Sequence, residues 1–153
     1  MENLSDILFQ HHTDGNPAAF TDFLFSDESF VTSMGHAMKL TGHKGCINTC
    51  CFNPFGDRLL TGSDDGCVLI WDIGTRAKEP IIMLRPHITN VFTTNFLSSN
   101  RFISGANDAA VQVVELTESG AKTRSFINHH IRKVLCSFVI DPNTFVTCSF
   151  DET

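Results

Sequence analysis

Residues 40–73 read LTGHKGCINTCCFNPFGDRLLTGSDDGCVLIWDI. This stretch contains three short apolar runs, at residues 46–52, 58–62 and 67–73, which are separated by the turn-forming segments Asn-Pro-Phe-Gly-Asp and Asp-Asp-Gly. An Asp-Gly pair between two apolar runs is a strong short-range signal for a β-hairpin. The stretch therefore predicts a small antiparallel meander.

The polar side chains of the same stretch have two interpretations. His43, Ser63 and Asp65 are the residue types of a hydrolase triad, and a hydrolase is the remote alternative. No Gly-x-Ser-x-Gly motif surrounds Ser63, however. A loop histidine, a strand serine, a turn aspartate and the indole of Trp71 can instead satisfy one another's hydrogen bonds. We therefore predict a structural network and no catalytic residues.

Composition limits the class of protein. The 153 residues are 42% hydrophobic and 18% charged, which fits about one domain with a core. The net charge of −6 comes from the first 38 residues, which carry six acidic residues and no Lys or Arg. The remainder is neutral and has no basic stripe for phosphates, so nucleic acid is not a predicted partner.

Six cysteines occur in the chain without any Cys-x-x-Cys spacing. Cys50 and Cys51 are adjacent on a predicted strand, where neighbouring side chains point to opposite faces. Free thiols in a reducing compartment are therefore predicted, with no metal and no cofactor. The sequence shows no signal peptide and no membrane-spanning apolar stretch. We expect a soluble intracellular protein, cytoplasmic and/or nuclear, without a membrane partner.

The N-terminal segment, residues 1–39, is acidic and rich in phenylalanine, and its pattern predicts a partly helical or irregular structure. Phe20, Phe23 and Leu24 are its candidate partner-binding residues. Such side chains pack on a neighbouring sheet or insert into the groove of another protein. The sequence leaves both interpretations open.

The chain repeats beyond residue 73. Histidines recur at intervals of 44 and 43 residues, and turn aspartates recur twice at 43 residues, in the order His43, His87, His130 and Asp65, Asp108, Asp151. Two marker series with one period indicate a repeat architecture. The aspartates Asp108 and Asp151 are therefore assigned to the predicted network. In the second unit Ala106 and Val114 replace the serine and the tryptophan, so the network is expected to have lost both there. Residues 117–124 are expected to form a linker.

The Gly-His, Ser-Asp-Asp-Gly and Trp-Asp motifs at this period resemble those of WD-repeat β-propellers. The resemblance implies an all-β fold, a partial propeller of about two and a half blades, each a four-stranded antiparallel sheet when complete. It covers residues 40–153, with blades near 40–79, 80–124 and 125–153. A closed propeller has about four to eight blades. We therefore expect a fragment or a short form, with self-association through open sheet edges.

Within that class, the chain is similar to the WD-repeat substrate receptors of cullin-RING ubiquitin ligases, the DCAF group. The similarity lies in residues 42–49, 59–65, 90–92 and 104–108 and in the Phe-rich segment before the first Gly-His. It implies a non-enzymatic scaffold whose partners are the ligase adaptor subunit and a substrate protein. A generic WD-repeat scaffold in signalling or chromatin complexes is the alternative.

Two details concern binding. The adaptor-docking motif of the resembled receptors ends in Trp-Asp-x-Arg, whereas this chain has Gly74 and Thr117 at the arginine position of its first two units.

Loops at the rim of the predicted blades supply the candidate partner contacts, which are Lys44, Asn48, Thr89 and Asn107.

Overall fold

The computed structural model describes residues 38–75 and 77–153, and the fold of these residues is all-β, as predicted. The predictions for Phe20, Phe23, Leu24 and the rest of the N-terminal segment lie outside the described residues. Ten strands are present in the described part: β1 (Ile47–Phe52), β2 (Arg58–Ser63), β3 (Val68–Asp72), β4 (Ile82–Leu84), β5 (Val91–Ser98), β6 (Arg101–Ala106), β7 (Val111–Thr117), β8 (Gly120–Phe126), β9 (Val134–Asp141) and β10 (Thr144–Ser149).

These strands form three antiparallel sheets in chain order. The first sheet has the order β1-β2-β3-β4, the second has β5-β6-β7-β8, and the third pairs β9 with β10. Neighbouring strands in sequence are neighbours in the sheet, so each sheet is a meander. The turn between β2 and β3 uses Gly66 with φ of 75°, a left-handed conformation that glycine adopts without steric cost.

The sheet boundaries differ from the boundaries predicted from the repeat. β4 was assigned by sequence to the second unit, but it pairs with β3 and completes the first sheet. Residues 117–124 were expected to be a linker, but most of them form β8, which pairs with β7 along its whole length. β8 is a polar, exposed edge strand, so it lacks the alternating apolar pattern by which strands are recognised.

The sheets pack face to face on one another. Leu60 and Ile70 of the first sheet pack with Phe102 and Val114 of the second in one core cluster. On its opposite face the second sheet contributes Ile103 and Val113 to a cluster that contains Val134 of β9. Strands covered on both faces explain the continuous apolar sequence of β3.

Two glycines allow the inner strands to approach closely. A Cβ atom on Gly62 would lie 2.7 Å from Val91 Cγ1, and one on Gly105 would lie 2.7 Å from Val134 Cγ1. Hydroxyl groups join the inner strands of successive sheets, with Thr93 Oγ1 2.7 Å from Ser137 Oγ. The stacking of the sheets is therefore fixed at equivalent positions in each repeat.

Candidate functional site

The polar network of the first sheet is built on Thr61. His43 Nε2 lies 2.8 Å from Thr61 Oγ1, and His43 Nδ1 lies 3.1 Å from Asp65 Oδ2. The indole Nε1 of Trp71 donates to the same Thr61 oxygen at 2.9 Å. An aspartate on Nδ1 assigns the proton to that nitrogen, so Nε2 accepts from the threonine hydroxyl. We call each such histidine, with its hydroxyl and aspartate partners, a brace.

Ser63 is not a partner of His43, and the sequence-based assignment of the hydroxyl to Ser63 is corrected. The Ser63 oxygen instead accepts a hydrogen bond from the backbone N–H of Asp65 at 3.3 Å. Thr61 and Ser63 are two residues apart on β2 and lie on the same face, so spacing alone does not distinguish them. The 43-residue period could have done so, because Thr61 recurs as Ser104 and Thr147.

The second sheet keeps its hydroxyl, contrary to the expectation that the network had lost it. His87 Nε2 lies 2.9 Å from Ser104 Oγ, and Nδ1 lies 3.1 Å from both Asp108 oxygens. His87 is buried, as is Ser104. The indole is replaced by Val114, which packs in the core cluster. The second brace therefore has the same three partners as the first but no indole that donates to its hydroxyl.

A third brace joins the loop before β9 to the end of β10. His130 Nε2 lies 2.9 Å from Thr147 Oγ1, and Nδ1 lies 3.3 Å from Asp151 Oδ2. Asp151 also accepts from the Thr153 hydroxyl at 2.6 Å. Hydrogen bonds from the Thr153 side chain and the Ile131 backbone lower the pKa of Asp151 below its ordinary range.

The braces change the ionisation of their members. Burial by itself would raise the pKa of Asp65, but hydrogen bonds from the backbone N–H groups of Lys44 and Cys67 and from His43 outweigh it and lower that pKa to about 2. For His87, burial lowers the pKa, and the Asp108 carboxylate only partly offsets this effect. Asp65 is therefore held as a carboxylate, and the neutral form of His87 is favoured.

Each brace aspartate also fixes the residue that follows the histidine. The backbone N–H groups of Lys44 and Ile131 donate to Asp65 and Asp151 at 2.8 Å, and that of Ile88 donates to Asp108 at 3.4 Å. The side chains point into solvent, and Ile88 and Ile131 are each 83% exposed. We call Lys44, Ile88 and Ile131 the rim residues.

The other predicted contact residues are placed differently. Asn48 donates to Asp64 Oδ1 at 2.7 Å and to the Val91 carbonyl at 3.1 Å, so it links the first two sheets although the residue is exposed. The Thr89 hydroxyl is buried without a hydrogen-bond partner among the described residues. Asn107 is exposed in the turn after β6. The sequence analysis identified Lys44 but missed Ile88 and Ile131. The histidine period locates both, because each rim residue directly follows a brace histidine.

The hydroxyl groups that contact the brace histidines of the first two sheets belong to buried residues, Thr61 and Ser104. Within residues 38–75 and 77–153, no three or more His, Cys, Asp or Glu side chains are grouped so as to hold a metal ion. In the same part of the chain, no helix has the length and apolarity needed to cross a bilayer.

The stacked antiparallel sheets and their recurring braces give the described residues the fold of a partial WD40-type β-propeller. Residues 34–72 match the family model described as "WD domain, G-beta repeat". Among solved structures, the WD40 β-propeller domain of Doa1 is similar with a TM-score of 0.66 and 21% identity. The match covers 78% of this chain and 38% of that one.

Two similar proteins have WD repeats in their names. The chain is 30% identical over 99 residues to "WD repeat protein iqw1" of Schizosaccharomyces pombe, covering 63% of this chain and 12% of that protein. It is 32% identical over 129 residues to "WD and tetratricopeptide repeats protein 1" of Homo sapiens, covering 81% of this chain and 19% of that protein. The chain thus spans less than a third of the length of these two relatives.

Proposed function

We propose that this chain is an intracellular protein-interaction scaffold that binds partner proteins through its rim residues. The observation that carries the proposal is the exposure of Ile88 and Ile131 at equivalent positions of two repeats. Single exposed apolar residues are ordinary on protein surfaces. Here they recur at a position whose backbone is hydrogen-bonded to a brace aspartate.

A fixed backbone favours binding because little conformational entropy remains to be lost when a partner docks. Apolar side chains that become buried at the centre of an interface supply much of its free energy. Lys44 adds a positive charge at the corresponding position of the first repeat. The rim residues therefore suit a partner segment that combines apolar side chains with an acidic group.

A displayed peptide library panned on the purified chain tests this proposal. Binding of the selected peptides is then measured on the double variant Ile88→Ser/Ile131→Ser and on Met83→Ser, which removes an exposed apolar side chain from the outer strand β4. We expect the double variant to lose about tenfold or more in affinity, and Met83→Ser to bind like the parent. Equal binding by all three proteins, or no selected peptide, contradicts the proposal.

We further propose that the chain acts as a substrate receptor of a cullin-RING ubiquitin ligase. Its partners would then be the adaptor subunit of the ligase and a substrate protein. The support is the resemblance of residues 42–49 and 59–65 to the DCAF group. Gly74 stands where the docking motif of that group has arginine. The residue is exposed, and a Cβ atom there would lie 3.4 Å from Asp72 Oδ1, so an arginine fits with little rearrangement.

Adaptor binding is measured for the parent chain, for Gly74→Arg and for Thr117→Arg. Gly74→Arg completes the motif after Trp71-Asp72, and we expect it to bind about tenfold more tightly, the effect of one charge-assisted contact. Thr117→Arg follows Val114-Glu115 and is expected to bind like the parent. Absence of adaptor binding by both the parent and Gly74→Arg rules out the ligase assignment, whereas the peptide experiment decides the scaffold proposal separately.

A further inference from the structure

Cys136 and Cys148 are directly opposite one another in the register of β9 and β10. Directly opposed residues of an antiparallel pair project from the same face of the sheet. Both cysteines are exposed free thiols. We propose that they form a redox-sensitive dithiol, which a hydroperoxide oxidises to a disulfide and a thiol reductant restores.

The strand register supplies the geometry that a disulfide needs. Opposed residues in antiparallel strands have Cα atoms about 4.5–5.5 Å apart. Disulfides span Cα separations of about 4.4–6.8 Å, so this pair closes without moving the strands apart. The other strand cysteines lack such a partner, because Cys50 faces Thr61 and Cys51 faces Leu60.

The equivalent positions of the first two sheets carry no cysteine. There the opposed pairs are Thr49 with Gly62 and Thr93 with Gly105. Each glycine is covered by a valine of the following sheet, so those positions are closed to solvent. In the third sheet the corresponding positions carry two thiols instead.

The side chains beside the thiols are exposed within the residues that the structure describes. Phe138 and Val146, the pair next to the cysteines on the same face, are 69% and 54% exposed. The thiol of Cys136 lies 3.8 Å from the Ser137 carbonyl oxygen, a weak contact that leaves the sulfur available.

The chemistry proceeds in two balanced steps. One thiolate attacks the O–O bond of the hydroperoxide, which gives a sulfenic acid and releases an alcohol or water. The second thiol attacks the sulfenic sulfur, so that the S–S bond forms and water leaves. Two electrons pass from the thiols to the hydroperoxide, and a dithiol reductant reverses the product by exchange.

Peptide mass spectrometry gives a direct test. Residues 134–153 contain no Lys or Arg, so trypsin releases them after Lys133 as one peptide with both cysteines and no other. The purified chain is treated with hydrogen peroxide, alkylated and digested. We expect this peptide to lose two hydrogens, to resist alkylation and to recover both thiols after dithiothreitol. We also expect oxidation to be about tenfold faster in the native chain than in urea, because the register holds the sulfurs together.

Two variants control the experiment. Cys136→Ser removes one partner, so peroxide is expected to leave Cys148 of this variant as a sulfenic acid, which condenses with an added thiol and releases water. Cys50→Ser removes an exposed cysteine that has no opposed thiol, and its peptide is expected to behave like that of the parent. The proposal is overturned by a peptide that keeps two alkylatable thiols, by disulfides only between chains, or by equal rates in the native chain and in urea.

Discussion

The braces of the first and second sheets use the same histidine, hydroxyl and aspartate geometry but differ in one side chain. In the first sheet, Trp71 donates to the Thr61 hydroxyl. In the second, Val114 occupies that position and leaves Ser104 with His87. Both histidines keep an aspartate at about the same distance, 3.1 Å. The indole is therefore an addition to the brace, and the hydroxyl, histidine and aspartate are its minimum.

The two sheets also differ at the turn that carries the brace aspartate. Gly66 has φ of 75° in the first sheet, and Ala109 has φ of 61° at the equivalent position of the second. An alanine in this left-handed conformation is strained, whereas glycine is not. The second sheet therefore tolerates both a missing indole and a strained turn.

Replacement of Trp71 by valine makes the first sheet resemble the second and is the largest expected effect. The indole is 1% exposed, so its loss leaves a cavity and removes a donor to Thr61. We expect the free energy of unfolding to fall by about 3 kcal/mol. Trp71→Phe keeps most of the ring and should lose only about 1 kcal/mol, the value of the hydrogen bond. Equal losses for the two variants in urea unfolding would show that the lost hydrogen bond, and not packing, accounts for the contribution of Trp71.

Removal of a brace aspartate is expected to have the next largest effect, and to cost more stability in the first sheet than in the second. Asp65 accepts from the Lys44 and Cys67 backbones at 2.8 and 2.9 Å as well as from His43. Asp108 has the equivalent partners, but its backbone hydrogen bonds are longer, at 3.4 Å from Ile88 and 3.1 Å from Ala110. We expect Asp65→Ala to cost about 2 kcal/mol and Asp108→Ala about 1 kcal/mol, measured by urea unfolding. A larger loss for Asp108→Ala contradicts the order derived from these contacts.

Exchange of the turn residues should change stability in opposite directions. Ala109→Gly relieves a left-handed alanine, and we expect a gain of about 1 kcal/mol. Gly66→Ala introduces the same strain and brings its Cβ to 2.7 Å from the His87 carbonyl oxygen, so it should lose more than that. Thermal unfolding of the two variants checks both signs. A loss of stability in Ala109→Gly would mean that the left-handed alanine is not strained.

The pH dependence of stability provides the smallest effect. Burial lowers the pKa of His87 below its ordinary value of 6.5, so the unfolded chain binds this proton more readily than the folded chain. Its contribution is therefore complete above about pH 6.5 and is lost as the pH falls. The pKa of Asp65 is lowered from 3.8 to about 2, so the stability that this carboxylate contributes is lost only as the pH falls from 3.8 to about 2.

We therefore expect the free energy of unfolding to fall between pH 7 and 5, with a slope of at most about 1.4 kcal/mol per pH unit from this one proton. His87→Gln should flatten the slope, and His129→Gln, which changes an exposed histidine, should not. Unchanged slopes in both variants would exclude His87 as the titrating group.

The strands and the fold class were predictable from sequence because their signals are local. Neighbouring residues are enough to recognise the apolar runs around Asp64-Asp-Gly66. The periods of the histidines and aspartates follow from counting the residues between them. The choice between Thr61 and Ser63 was not predictable from the first repeat, since both lie on one face of β2 and only the tertiary position of His43 separates them. β8 was missed because an exposed polar edge strand has the composition of a loop.

We conclude that Thr61, and not Ser63, holds the histidine brace together. Hydrogen exchange of the Trp71 indole N–H, followed by NMR in the parent, Thr61→Val and Ser63→Ala, tests it most directly. We expect slow exchange in the parent and in Ser63→Ala, and exchange faster by about tenfold or more in Thr61→Val, because only that variant removes the acceptor 2.9 Å from the indole. Fast exchange in Ser63→Ala with slow exchange in Thr61→Val would show that Ser63, and not Thr61, holds the brace together.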